Sequence, residues 1–178
     1  MIRWKFTFDK DEEEAWLNDY AREGWAMVSF FVGLVTFVPC QPGEYIYQID
    51  LLPGKGLFAD RYEDYVIFMD EMGVEIIQRW GRWVYLRKRA EDGPFEVYTD
   101  TASKLELYRR MRKMFLWALV VVSLCSGSGW SMLFQFPGDI WARTLAGFYV
   151  VMIAVMLRAV WHCAWKIKEL ERQEREGS

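Results

Sequence analysis

Two long uncharged stretches near the C-terminus constrain this chain more than anything else in it. No charged residue occurs from Met114 to Phe134, and Arg158 is the only one from Thr144 to Trp165. A helix crossing a hydrocarbon core needs roughly 20 mainly apolar residues, and both stretches reach that length. A helix buried in a soluble domain is usually shorter and keeps a polar face. The reading is a transmembrane helical hairpin over 114–165, with spans at 114–134 and 144–165. Arg109, Arg110, Arg112 and Lys113 precede it, and Lys166, Lys168, Arg172 and Arg175 follow it, whereas Arg143 is the only cation between the spans. Lys and Arg stay on the cytoplasmic side. The expected location is therefore the cell membrane, multi-pass, with both termini cytoplasmic. Trp117, Trp161 and Trp165 fall near the inner ends and Trp130 and Trp141 near the outer ones, where indole favours the headgroup boundary. Pro137 and Gly138 supply the turn.

The remainder divides by charge. Residues 1–100 hold 11 Lys/Arg and 19 Asp/Glu, a net of −8; residues 101–178 hold 11 and 6, a net of +5. An acidic head argues against nucleic-acid binding, which needs a basic face to neutralise phosphates. No apolar segment of signal-peptide length lies at the N-terminus, so the hairpin is expected to serve as its own insertion signal. Cys40, Cys125 and Cys163 form no CxxC pair, which fits free thiols in a reducing setting.

Residues 2–8 alternate as a strand, with Ile2, Trp4, Phe6 and Phe8 on one face. Asp9 to Glu23 has helical spacing, its acidic run Asp11–Glu14 suits the positive end of the helix dipole, and Gly24 stops it. Residues 25–38 are apolar and β-branched, residues 43–52 alternate, and the turn between them predicts a hairpin of these two runs. Pro53-Gly54-Lys55-Gly56 reads as a loop without the further elements of a phosphate-binding loop. Asp60 is placed to cap a second helix with Tyr62, Tyr65, Val66 and Met69 as its buried stripe, and residues 74–80 and 83–89 form a last hairpin. This order predicts an α+β class: a ferredoxin-like βαββαβ domain with an added strand, its first and third strands central, over residues 1–90. A linker and basic juxtamembrane helix (91–113) follows, starting near Lys104 behind the capping pair Ser103 and Glu106, then the hairpin and a charged tail (166–178).

Several segments carry a resemblance. Trp16-Leu-Asn-Asp-Tyr-Ala-Arg-Glu-Gly-Trp25, Gly43-Glu-Tyr-Ile-Tyr-Gln-Ile-Asp50, and Gly81-Arg-Trp-Val-Tyr-Leu-Arg-Lys-Arg89 with Glu91-Asp-Gly-Pro-Phe95 resemble a bacterial family of unknown function, number 2812, over about residues 1–113. Members of that family are mostly from Gram-positive bacteria, often carry C-terminal membrane spans and are frequently encoded beside PadR-type transcriptional regulators. The resemblance carries over no active site, only a regulatory or envelope-linked setting.

Candidate site residues are few. His162 is the lone histidine, and Cys163 beside it points elsewhere around a helix, so no metal or other cofactor is expected. Arg158 lies about 10 Å inside the inner end of its span at helical rise. Three readings stand for it: snorkelling to lipid phosphate, pairing within an oligomer, or a transport role. Ser123, Gly127 and Ser131 recur at four-residue spacing, with Cys125 and Gly129 on a neighbouring stripe, which suits close helix packing either within the hairpin or between copies in a homo-oligomer. Arg109, Arg110, Arg112 and Lys113 are placed for lipid headgroups. In the head, Trp4, Trp16, Trp25, Trp80 and Trp83 are expected in the core, with an aromatic ligand pocket as the other reading. Trp80, Trp83 and Tyr85 are expected to be the most exposed aromatic positions and a partner surface. No nucleophile and base are brought together by spacing, so the functional expectation is a non-enzymatic, membrane-anchored interaction or sensory module whose head binds an unidentified protein. Two other classes stand beside it: an accessory subunit of a membrane transporter or channel, and an enzyme.

Overall fold

The structure is a computed structural model, and it describes the chain apart from residues 6, 8, 56, 57, 60, 136, 137, 177 and 178. It divides into two units, Met1–Thr99 and Asp100–Ser178. The first holds β1 (Ile2–Trp4), α1 (Lys10–Arg22), β2 (Trp25–Phe31), β3 (Leu34–Pro39), β4 (Tyr45–Leu51), a short ribbon β5 (Gly54–Lys55) and β6 (Phe58–Ala59), α2 (Tyr62–Glu71), β7 (Glu75–Trp80) and β8 (Trp83–Arg89). The second holds α3 (Thr101–Gln135) and α4 (Ile140–Glu176).

Mixed α and β elements are present as expected, but the ferredoxin-like strand order is not what the described strands adopt. They form two antiparallel three-stranded sheets, β1-β3-β2 and β4-β8-β7. The first strand is an edge rather than a centre, and the third expected strand, β4, pairs with β8 instead of with the run before it. The cause is a turn inside the apolar run 25–38. Val32 and Gly33 take φ of 45° and 82°, the left-handed pair of a two-residue hairpin, so the run folds on itself as β2 and β3. The chain then leaves that sheet at the end of α1, where Gly24 accepts from the Cys40 N–H and Ala21 accepts from the Gly43 N–H. A Cβ at Gly24, which has φ of 87°, would stand 3.1 Å from the Cys40 carbonyl oxygen, so both conformation and space call for glycine.

Helix α1 starts where its acids predict. The Asp9 carboxylate accepts from the Asp11 and Glu12 N–H groups, and Asp11, Glu12 and Glu13 fill the first turn. Its apolar stripe carries Leu17 and Ala21 into a core with Met27, Phe30, Val35, Phe37, Tyr47, Ile49 and Tyr85. Leu52, Met69, Val74, Val84, Leu86 and Phe95 make a second core, with Tyr62, Tyr65 and Val97 packed against it. Phe95 and Val97 therefore belong to the head and not to a free linker. Of the stripe expected on α2, Val66 is exposed. Phe6, Phe8, Gly56, Asp60 and Pro137, which the sequence placed on a strand face, in a loop, at a cap and in a turn, lie outside the described residues.

Both helices of the second unit are long and apolar enough to cross a membrane. Only 12% and 17% of their most apolar stretches are buried, where a core helix of a soluble domain would be mostly buried. Helix α3 begins at Thr101, one turn before the expected capping pair, with the Asp100 carboxylate accepting from the Ser103 N–H. It runs without a break through the basic cluster into the first apolar stretch.

Candidate functional site

Two sheets leave edges that must be closed or used, because an unpaired strand edge recruits other strands. Two of the edges here are closed by side chains. At β4, Asn18 of α1 donates to the Tyr47 carbonyl at 3.0 Å and accepts from the Tyr47 N–H at 2.8 Å, and Glu14 accepts from the Ile49 N–H at 2.6 Å. At β2, Gln78 accepts from the Phe30 N–H at 2.6 Å and donates to the Phe30 carbonyl at 2.7 Å. The Tyr47 hydroxyl accepts from the Met27 N–H at 2.9 Å. Primary amides reproduce both halves of a peptide pair, so these side chains stand where another strand would dock. The edges of β2 and β4 are thus closed to a partner strand by these side chains.

Bulges aim these groups. Register shifts between Ile76 and Gln78 on β7, so Ile76 lies opposite Leu86 and Gln78 opposite Tyr85, on different faces. A second shift, between Met27 and Ser29, bends β2 where Tyr47 reaches it.

The buried and half-buried carboxylates are likewise engaged. Asp50 accepts from the Tyr65 and Tyr98 hydroxyls and the Leu51 N–H. Glu14 pairs with Lys10 at 2.8 Å. Glu13 accepts from the Tyr85 hydroxyl at 2.9 Å. Burial pushes the Glu13 carboxyl up to about 7, against the pull of the Tyr85 hydrogen bond and Lys5. Tyr85 is pushed far above its ordinary range by its own burial and then by the Glu13 charge. Among the described residues no three His, Cys, Asp or Glu side chains converge as a metal site would require.

Of the three aromatic residues expected to form a partner surface, Trp80 is exposed, Trp83 is half-buried against the core and Tyr85 is inside it. Alternation along β8 hid this, since Tyr85 lies opposite both Ile49 and Gln78 under α1. Trp16 and Trp25 pack on the core as expected, but Trp4 is 70% exposed. The larger exposed apolar features lie outside the expected partner surface: Ile2, Trp4, Phe31 and Leu34 on the first sheet, and Ile67 and Phe68 on α2.

In the second unit Arg109 pairs with Glu171 at 2.9 Å, tying the basic segment of α3 to the tail of α4. Arg109 and Lys113 are exposed, Arg110 and Arg112 half-buried, and Arg158 lies on the exposed side of α4. Ser123, Gly127 and Ser131 are exposed as well, so the small-residue stripe does not pack on α4. The close approach uses a neighbouring row: Ser126 and Gly129 are buried, and a Cβ at Gly129 would sit 3.0 Å from the Tyr149 ring.

The family described as a protein of unknown function, DUF2812, matches residues 9–120, from α1 into the first part of α3. No curated protein and no solved structure matches the chain.

Proposed function

Since this chain belongs to the DUF2812 family, whose description assigns no reaction, we propose from its own residues that it is a membrane-anchored, non-enzymatic interaction module. In this reading α3 and α4 form a two-span hairpin with both termini cytoplasmic, and the head binds a protein partner of an envelope-linked regulatory system. The observation that carries it is the joining of two apolar, largely exposed helices to a head that keeps Trp80, Ile67 and Phe68 in solvent. Exposed apolar groups of this size mark contact surfaces when they cluster. The head's Asp50, Glu13 and Glu14 carboxylates, by contrast, are spent on capping strands and binding hydroxyls. Exposed Trp117, Trp161 and Trp165 toward one end of the hairpin and Trp130 and Trp141 toward the other support two interfacial belts.

Capture of partners from native membranes, with wild type and Ile67→Glu/Phe68→Glu, tests the head's role. A regulator or sensor kinase lost in the double variant is the expected result. A transport subunit retained by the hairpin alone would favour the accessory-subunit reading, and turnover of a small molecule by the head would overturn the non-enzymatic one. Orientation has its own measurement. Single cysteines near residues 100 and 175 should resist a membrane-impermeant thiol reagent in intact cells, while one at Asp139 should react.

Arg158 is exposed, and its reach to the cytosolic headgroups is the simplest account of it. Arg158→Lys should then keep full thermal stability in detergent. Loss on this change would instead indicate a planar, bidentate partner within an oligomer.

A further inference from the structure

Helix α2 packs one face on the head's second core and leaves the other in solvent. Tyr62, Tyr65 and Met69 face that core, so the opposite side is centred on Ile67, which is 60% exposed, with Phe68 beside it at 54%. On a helix, the residues three and four positions away on either side are the surface neighbours. For Ile67 these are Glu63, Asp64, Asp70 and Glu71, so an aliphatic side chain stands inside a ring of four carboxylates. All four are exposed, and among the described residues none of them pairs with a cation. Asp64 and Glu71 are neighbours of Phe68 by the same spacing, as is the exposed Met72.

The stability of α2 does not account for this ring. Glu63 and Asp64 suit the first turn, but Asp70 and Glu71 fall in the last, which has no basic residue and where the helix dipole disfavours negative charge. Arg61 is the cation nearest in sequence, and residues 61–72 keep a net of −3, one Arg against four acids. Arg79 of β7 is engaged on the other side of the helix, 4.3 Å over the Tyr62 ring and donating to the Gly81 carbonyl. The rim selects what covers the apolar centre. It repels an anionic bilayer and a nucleic acid. Two copies laid face to face would set four carboxylates against four, and a small cation would leave Ile67 and Phe68 in water. A protein segment with Lys or Arg around an apolar side chain satisfies both rim and centre.

We propose that the outer face of α2 docks a basic segment of a different protein, which lays an apolar side chain on Ile67 and Phe68 and reaches Glu63, Asp64, Asp70 and Glu71 with Lys or Arg. It rests on the reading of the head as a protein-binding module, and adds to it the place of contact and the chemistry of the partner.

The test puts a photoreactive benzophenone side chain at Ile67 of the full chain in native membranes, with a second preparation labelled at Trp80. Mass spectrometry then reads the sequence of each cross-linked segment. The expected product at Ile67 is a segment of another protein with an excess of Lys and Arg. Changing the ring to amides (Glu63→Gln, Asp64→Asn, Asp70→Asn, Glu71→Gln) should lower its yield by about ten-fold, as the loss of four exposed ion pairs allows. The amide variant should unfold in detergent at no lower a temperature than wild type, since its last turn no longer opposes the dipole, which separates docking from folding. Added salt tests the same rim without a further substitution, and should also lower the yield. A cross-linked segment without net positive charge, or a yield indifferent to both salt and the amides, overturns the proposal and leaves the protein-binding reading standing. A protein captured at Trp80 with no product at Ile67 does the same. A product with lipid or with this same chain overturns it in favour of the bilayer or a second copy. No protein captured at either position overturns the reading, and the proposal with it.

Discussion

Gln78→Leu is expected to destabilise the head by about 2–4 kcal/mol, since it leaves two backbone groups without partners and each unsatisfied buried group costs roughly 1–3 kcal/mol. The amide now satisfies both the N–H and the carbonyl of Phe30, whose side chain is 8% exposed and stacked on Tyr85. Leucine has nearly the same volume, so the gap stays closed to water while both hydrogen bonds vanish. A thermal unfolding midpoint for the full chain in detergent, followed by near-ultraviolet dichroism of the head's tryptophans, measures the loss. Gln78→Glu should fall between wild type and Leu, because a carboxylate still accepts from the Phe30 N–H but faces its carbonyl oxygen with no donor. A shift corresponding to less than about 0.5 kcal/mol for Leu would mean that water takes the amide's place.

The second large effect is a dependence on pH centred on Glu13. Its carboxyl is held at about 7 in the folded head, mainly by burial, against 4.5 when unperturbed. The folded state therefore keeps a proton that the unfolded chain has released. Stability from this group is fully present below about pH 4.5 and declines as pH rises through about 7, beyond which the curve is flat. At about 1.4 kcal/mol per pH unit over the interval from 4.5 to about 7, the total change is on the order of 3–4 kcal/mol. Burial pushes Glu14 up as well, partly offset by Lys10 and the Ile49 N–H, so it adds in the same direction. Glu13→Gln preserves an acceptor for the Tyr85 hydroxyl and carries no charge. It should flatten the profile between pH 5 and 8 and raise the unfolding temperature above pH 7. A variant that unfolds at the same temperature as wild type at pH 8 would show that Glu13 is ionised there without cost, reached by water.

What was legible in the sequence was whatever depends on local pattern. The uncharged runs announced α3 and α4 because the bilayer's thickness sets a length that few soluble helices reach. Asp9 and the acids after it marked the start of α1, since capping is a contact between neighbours in sequence. The family resemblance was carried by contiguous segments such as Trp16 to Trp25, and the match over residues 9–120 bears it out. The apolar run 25–38 was visible too, but its division was not. Val32-Gly33 is a weak turn signal, because valine seldom accepts positive φ, and without that turn the strand pairing came out one partner wrong.

The tertiary structure decided the rest. Alternation gives the face of a residue only while register is unbroken, and a single extra residue at Ile77 reverses the faces beyond it. That is why Gln78 meets β2 rather than pointing away from it. Tyr85 was read as surface for a related reason: alternation shows that one face of β8 is apolar but does not say that α1 covers it. The same limit applies in the hairpin, where Ser123, Gly127 and Ser131 have the right spacing and Gly129 has the contact. Spacing defines a row on a helix, whereas the crossing of two helices selects which row is used. By itself the sequence determined two apolar helices long enough to span a bilayer, a mixed α and β head and its family, because each follows from composition or from contacts between near neighbours. Which strands pair, which edges are sealed and which aromatics stay outside depend on contacts between distant segments, such as Asn18 with Tyr47 and Phe30 with Gln78, and no local pattern encodes those.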